Sequence, residues 1–223
     1  PTHVYNSVGT FTAKLTLTNS AGTSTSPNIP IVVNQDPNPK YYVRTTGSTG
    51  PSCGPLLNPC STITQAQSNA VANGIHVIRV AGGTYGPLTL VSSMQILGGW
   101  KQDFTDFGTG DVTAIYGTST SPAITINGVT NSTISGVNAQ GVTRTSGDAV
   151  GVVISGASNA VTIDKSTVGG GVGPNATGVL VSGGSTADLT ETTVNSGTPV
   201  APGRSAYGVR VLGLSIVNIT LGD

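Results

Sequence analysis

Charge is scarce in this sequence: nine Lys plus Arg and nine Asp plus Glu make up 8% of 223 residues and cancel. A chain without net charge has no global field to draw in nucleic acid or an anionic membrane surface, so neither is expected as a partner. Long apolar runs are missing too. Nothing approaches the ~18 apolar residues of a spanning helix, and no basic start with an apolar h-region is present. Aromatics are 4% of the chain, with a single tryptophan, and there are two cysteines and two histidines. His3 and His76 are isolated and read as structural. No Cys/His metal spacing, no glycine-rich phosphate loop ahead of a helix and no nucleophile-elbow serine occurs, so no catalytic residue is assigned.

What the chain does have is glycine (32 residues), serine, threonine and short β-runs. Four runs stand out: Ala123 to Gly128, Val152 to Gly156, Val179 to Gly183 and Val209 to Gly213. Aligned on their last glycine they recur at 28, 27 and 30 residues (156 − 128, 183 − 156, 213 − 183). A weaker set follows in phase through Ile134, Ile163, Leu189 and Ile219, separated by 29, 26 and 30. A period just under thirty with two or more β-runs per unit is the signature of stacked coils of strand. Side chains alternate along a strand, so Ile124, Val152, Val179 and Val209 form one inward column and Ile126, Ile154, Val181 and Val211 the next. The outward column reads Arg79, Thr89, Thr125, Val153, Leu180, Arg210, which is not the flat threonine array that ice binding requires. Asn131 and Asn159 stand ahead of the second run, either as a hydrogen-bonded ladder between coils or as ordinary turn asparagines.

This pattern closely resembles the right-handed parallel β-helix of pectate-lyase-like proteins, over roughly residues 41 to 223. Tyr42-Val43, the following loop, a helix and then Ile78 to Tyr85, ending Gly83-Thr84-Tyr85, resemble the N-terminal cap of secreted β-helix proteins. The helix is legible by itself: Ile63, Ala66, Ala70 and Val71 share a face, Thr62 and Gln65 form a capping-box pair, and Gly74 sits at the C-terminal cap. It is placed to cover the first coil. Cys53 and Cys60 enclose Gly-Pro-Leu-Leu-Asn-Pro, a short loop with turn formers at both ends, and are read either as a disulfide contributing about 2 to 3 kcal/mol or as a reduced pair.

Residues 1–34 alternate as strands. His3-Val4-Tyr5, then Val8 to Asn19, with Phe11, Ala13, Leu15 and Leu17 on one face, resemble the C-terminal part of a PKD (polycystic kidney disease) repeat, an immunoglobulin-like sandwich of extracellular proteins. A sandwich needs ~100 residues, so the chain is expected to be a fragment of a longer one. Residues 35–40 form a proline-rich linker. The expected fold is therefore all-β: a partial PKD-like sandwich (1–34), the linker, and a cap helix with the first coils of a parallel β-helix (41–223).

Pectin-cleaving relatives of that fold use clustered carboxylates, often with calcium, and an Arg or Lys base. Little of this is present. Lys165 and Glu191 are expected to be neighbours one coil apart, as a solvated ion pair. Arg144 and Asp148 lie in a variable turn. The richest stretch is Gly98 to Asp111, read as an excursion from the coil wall, with Trp100, Asp103, Asp106 and Asp111 as the ligand-binding candidates. The aspartates could supply oxygens to calcium, though no cofactor is indicated, and the indole could stack on a sugar or anchor the loop in a small apolar cluster. Asn131, Asn175 and Asn218 head formal glycosylation sequons. The expected function is an extracellular structural or adhesive scaffold of a modular secreted or cell-surface protein, contacting polysaccharide or further copies of itself through an open C-terminal coil. The alternative is a polysaccharide lyase or glycoside hydrolase whose catalytic coils lie outside this chain.

Overall fold

The computed structural model describes residues 9–33, 38–108, 111–200 and 203–222. The chain divides into two compact units, Pro1–Pro39 and Lys40–Asp223. His3, Tyr5 and Val8 lie outside the described residues, as do position 34 and positions 35–37 of the expected linker.

In the first unit Gly9–Ala13 pairs antiparallel with Ile29–Val33, and Thr16–Asn19 pairs with Gly22–Thr25 across a two-residue turn. The Asn19 side chain caps that turn by accepting from the Ala21 amide at 2.9 Å, the local bond that makes asparagine a turn residue. The single strand expected over 9–18 is interrupted at Lys14 and Leu15. There the Ser26 amide donates to the Leu15 carbonyl at 2.8 Å, and the Leu15 amide donates to Ser26 Oγ at 2.9 Å, which turns the chain from one pairing to the other. Leu15 and Leu17 are left exposed.

The second unit is built from three parallel sheets. The first has seven strands in the order Lys40–Ser48, Val77–Ala81, Gln95–Trp100, Thr130–Ser135, Asn159–Asp164, Thr186–Thr190 and Ile216–Thr220. The second has five: Leu88–Leu90, Ile124–Asn127, Ala149–Ser155, Ala176–Val181 and Ala206–Val211. The third also has five: Gly83–Tyr85, Thr113–Tyr116, Val137–Gln140, Thr167–Gly169 and Thr193–Asn195. From Val77 onward the chain visits first, third and second sheet in that order on every turn, so each coil lays one strand on each sheet.

The register follows the sequence repeat. Ile124 pairs with Val152, Val152 with Val179 and Val179 with Val209, and the column of Ile126, Ile154, Val181 and Val211 lies beside it. In the first sheet Tyr41, Ile78, Ile96, Ile134, Ile163, Leu189 and Ile219 stack in one line. The isoleucines from Ile78 to Ile163 are at most 1% exposed, and each contributes about 1.5 to 3 kcal/mol by leaving water. Gly128, Gly156, Gly183 and Gly213 lie just beyond four of the five second-sheet strands, with φ of +65°, +67°, +66° and +69°. Only glycine adopts that left-handed turn without strain, which is why it closes each repeat.

One sequence expectation changes here. Arg79 belongs to the first sheet, beside Tyr42 and Leu97, so the outward column of the second sheet begins at Thr89. Two short strands, Gly83–Tyr85 and Leu88–Leu90, separate the sheets within that first coil.

Helix α1 (Ile63–Ala72) packs on the first coil, where Ile63, Ala66 and Ala70 join Val80, Leu88 and Leu90 in the core. Thr62 Oγ1 accepts from the Gln65 amide at 3.2 Å, but the Gln65 side chain donates to Asn69 Oδ1 instead of closing the capping box. Val71 is exposed, and buried polar side chains take part in the contact face. Gln67 Nε2 donates to the Thr89 carbonyl at 2.8 Å, and Asn69 Nδ2 donates to the carbonyls of Gly50 and Cys53, both at 2.9 Å. Cys53 and Cys60 form a buried disulfide under that amide. Among the described residues no helix is long and apolar enough to cross a membrane.

Candidate functional site

The stretch read as an excursion starts inside a strand. Gly98, Gly99 and Trp100 complete the first-sheet strand, with Trp100 paired to Ala81 and a bulge between this pair and Arg79–Leu97. A β-carbon on Gly98 would sit 2.6 Å from the Gly136 carbonyl oxygen, so glycine lets the next coil approach there. The chain then loops out and returns as Phe107 bridges Trp100, with the Gly108 amide donating to the Gly99 carbonyl at 3.0 Å.

Trp100 is half-buried. The Arg79 guanidinium lies 3.9 Å from the centre of its ring, and the Phe107 ring centre is 5.6 Å away at a tilt of 51°. Phe104, in a left-handed conformation and buried, meets Tyr42 edge-on at 4.9 Å. The aromatic side chains thus fasten the loop to the sheet, and a cation already occupies one face of the indole.

The aspartates serve the loop individually. Asp103 Oδ1 accepts from Thr105 Oγ1 at 2.7 Å and from the Thr105 amide at 3.1 Å, and these bonds hold its carboxyl below the ordinary aspartate range. Asp106 Oδ1 accepts from the Phe107 amide at 2.8 Å, and Asp106 Oδ2 meets Lys101 Nζ at 3.2 Å, which lowers its pKa as well. Both carboxylates are on the exposed surface. Asp111 stands apart, against Gly82, and lines a shallow hollow of about 300 Å³ with Gly136, Asn138, Lys165 and Thr167. Among the described residues no three His, Cys, Asp or Glu side chains converge as metal ligands. The structure therefore brings Trp100 and the loop of Asp103 and Asp106 together and leaves Asp111 to the hollow.

No family model, no curated protein and no solved structure matches this chain. Site chemistry rests on the residues themselves.

Three further aspartates bond to side chains of neighbouring coils. Asp148 accepts from Asn175 Nδ2 at 2.7 Å and meets Arg210 at 3.4 Å; Asp164 accepts from Ser135 at 3.0 Å; Asp188 accepts from Asn218 Nδ2 at 2.7 Å. Lys165 and Glu191 follow the paired residues Asp164 and Thr190, both in left-handed turns, yet the ion pairs described are Lys101–Asp106 and Arg210–Asp148. Of the two readings of Asn131 and Asn159, the ladder between them does not form. Thr130 pairs with Asn159, so Asn131 is out of register with it, and Asn159 Oδ1 instead accepts from Thr186 Oγ1 at 2.7 Å.

Sequence reasoning gave no binding role to two arginines, although it placed Arg79 in an outward column. Arg44 follows Tyr42 on the outward face of the first strand, and Arg79 sits between the buried Ile78 and Val80. Arg44 Nε, Arg79 Nε and Trp100 Nε1 are all buried without an acceptor. The signal available in the sequence was an arginine at an outward position of each of the first two strands, with no acid in register.

Proposed function

We propose that this chain is part of an extracellular structural or adhesive scaffold: a right-handed parallel β-helix with a disulfide-stapled cap, preceded by the end of a PKD-like sandwich. The observation that carries the reading is the repeated visit to three parallel sheets with an unbroken inward column of isoleucine, valine and leucine. Such a rod gains rigidity from each added coil and presents long outward faces. The buried disulfide is compatible with an oxidising compartment. Carbohydrate contact is assigned to the 100–108 loop, where Phe107 is 44% exposed beside Trp100 and the carboxylates of Asp103 and Asp106 face water.

The scaffold is favoured over a lyase or hydrolase by where the acids stand. Asp148, Asp164 and Asp188 are each hydrogen-bonded to a side chain of a neighbouring coil, an arrangement that ties coils together. The test is incubation of the purified chain with uronic-acid and neutral polysaccharides, with and without calcium, following reducing ends and unsaturated-product absorbance. No sustained release is expected. Cleavage that disappears in Lys165→Ala or Asp164→Ala would overturn the proposal in favour of an enzyme.

A further inference from the structure

Arg44 and Arg79 occupy neighbouring places on the outward face of the first sheet. Tyr42 pairs with Arg79, and continuing that register sets Arg44 beside Ala81, which pairs with Trp100. Strand spacing puts the two arginine α-carbons on the order of 8 Å apart, well within reach of one ligand group. Both side chains and Trp100 are half-buried, and each contributes a sealed N–H donor with no acceptor. A buried donor without a partner is costly, and two like charges side by side add to that cost. Among the described residues no carboxylate is paired with either guanidinium. Asp106 is held by Lys101 and the Phe107 amide, Asp103 by Thr105, and the Gln102 amide group donates to the Gly82 carbonyl.

We propose that Arg44 and Arg79, flanking Trp100, form a binding site for an oxyanion, carboxylate or sulfate, carried on a glycan. A guanidinium presents paired donors that match such a group, and two from neighbouring strands can converge on its oxygens. The glycan as carrier rests on the carbohydrate-contacting reading above; the oxyanion rests on the arginines alone.

Trp100 is the chain's single tryptophan and touches Arg79, so its emission reports directly on the site. The full chain is titrated at low salt with neutral dextran, carboxymethyl dextran, dextran sulfate and inorganic sulfate, following tryptophan emission and binding heat. At least one charged dextran should bind and shift the emission while neutral dextran does not, and the preferred polymer tells carboxylate from sulfate. Arg44→Gln and Arg79→Gln should each weaken that binding about tenfold, as expected for loss of a charge-assisted bond. Arg204→Gln makes the same change in net charge on an exposed residue outside the site and should alter affinity by no more than about twofold. Melting curves confirm that each variant is folded; should Arg79→Gln disturb the loop, Arg44→Gln carries the test. Absence of binding to sulfate and to both charged polymers, or equal loss in Arg204→Gln, would overturn the site. Inorganic sulfate binding through Arg44 and Arg79 without any dextran would keep the oxyanion site and remove its glycan carrier. Neutral dextran binding as well as the charged forms, unaffected by either substitution, would keep carbohydrate contact and overturn the oxyanion site.

Discussion

The Ser158 amide donates to the hydroxyl oxygen of Ser185, one coil away, at 3.1 Å. The pattern repeats: Val129 N–H donates to Ser158 Oγ at 3.0 Å and Ser185 N–H to Ser215 Oγ at 3.2 Å, while the Ser158 and Ser185 hydroxyls donate to the carbonyls of Ser155 and Ser182. At the corner between second and first sheets, backbone donors meet no strand partner, and these serines supply the acceptor. Ser158 and Ser185 are both 0% exposed.

Ser158→Ala should therefore destabilise the protein by about 1 to 3 kcal/mol, because it strands the Val129 amide in a buried site. Ser185→Ala should cost less than Ser158→Ala, because the Ser158 amide keeps a second acceptor in the Ser155 carbonyl at 3.3 Å. Ser215→Ala, at a half-buried position, should cost less, since water can replace its hydroxyl. Urea unfolding of the three variants checks the order, and equal small losses would show that the ladder contributes little.

The second sheet was largely legible because its inward pairs, from Ile124 and Ile126 to Val209 and Val211, recur at a near-constant period, each followed closely by a left-handed glycine. The third sheet was not. Its strands are three or four residues long, and Tyr85, Ile115, Ala139, Val168 and Val194 form a single inward column, too little alternation to read by eye. The serine ladder was hidden for a different reason: a serine inside a coil corner reads as an ordinary turn residue. Its trace was Gly-Ala-Ser, Gly-Gly-Ser and Gly-Leu-Ser at 156, 183 and 213. The stacking of Arg79 on Trp100 depended on a bulge and a coil shortened to 18 residues (96 − 78), neither of which the thirty-residue period contains.

The pH response of the 100–108 loop follows from its carboxylates. Both Asp103 and Asp106 have folded pKa values below the ordinary 3.8, so the loop bonds they contribute are complete above that value and are lost as pH falls through the lowered ones. Tryptophan emission should stay level from pH 7 to about 4 and change below the ordinary carboxylate range. In Asp106→Asn, which keeps an acceptor and removes the charge, that acid transition should be smaller.

Tyr85 predicts behaviour at the other extreme. Its hydroxyl is buried and donates to the Ala81 carbonyl at 2.9 Å, and burial raises its pKa above the normal tyrosine value of 10.0. Stability from this group is full below pH 10 and declines as pH rises toward the raised value. Tyr85→Phe should cost about 1 kcal/mol at pH 7 and remove part of the alkaline destabilisation, a difference measurable by thermal melting between pH 8 and 11.

The disulfide should fasten the cap more than the coils. A closed loop of so few residues removes about 2 to 3 kcal/mol of unfolded-state freedom in the chain-entropy model, and Asn69 hydrogen-bonds across it to Gly50 and Cys53. Thiol titration of the unfolded, unreduced chain should find no free sulfhydryl. Reduction should lower the melting temperature, and two reactive thiols in a sample never exposed to reductant would remove both the staple and the argument for an oxidising compartment.

The last described coil carries the same inward columns as the others, but its apolar side chains are exposed. Ile219 is 60% exposed where its in-register neighbour Leu189 is 2% exposed, and Ile216, Leu214 and Leu221 are 55%, 93% and 84% exposed. Apolar columns that contribute about 1.5 to 3 kcal/mol per side chain in the inner coils contribute little here. The strands Ala206–Val211 and Ile216–Thr220 are also edge strands, with backbone donors and acceptors open to pairing. This chain expressed alone should therefore self-associate through that coil, with a dependence on concentration, and Ile219→Lys should raise the monomer fraction by placing a charge in the column. Light scattering decides the matter. A monomer that persists at high concentration and is indifferent to Ile219→Lys would show that exposed columns alone do not drive association of this fold.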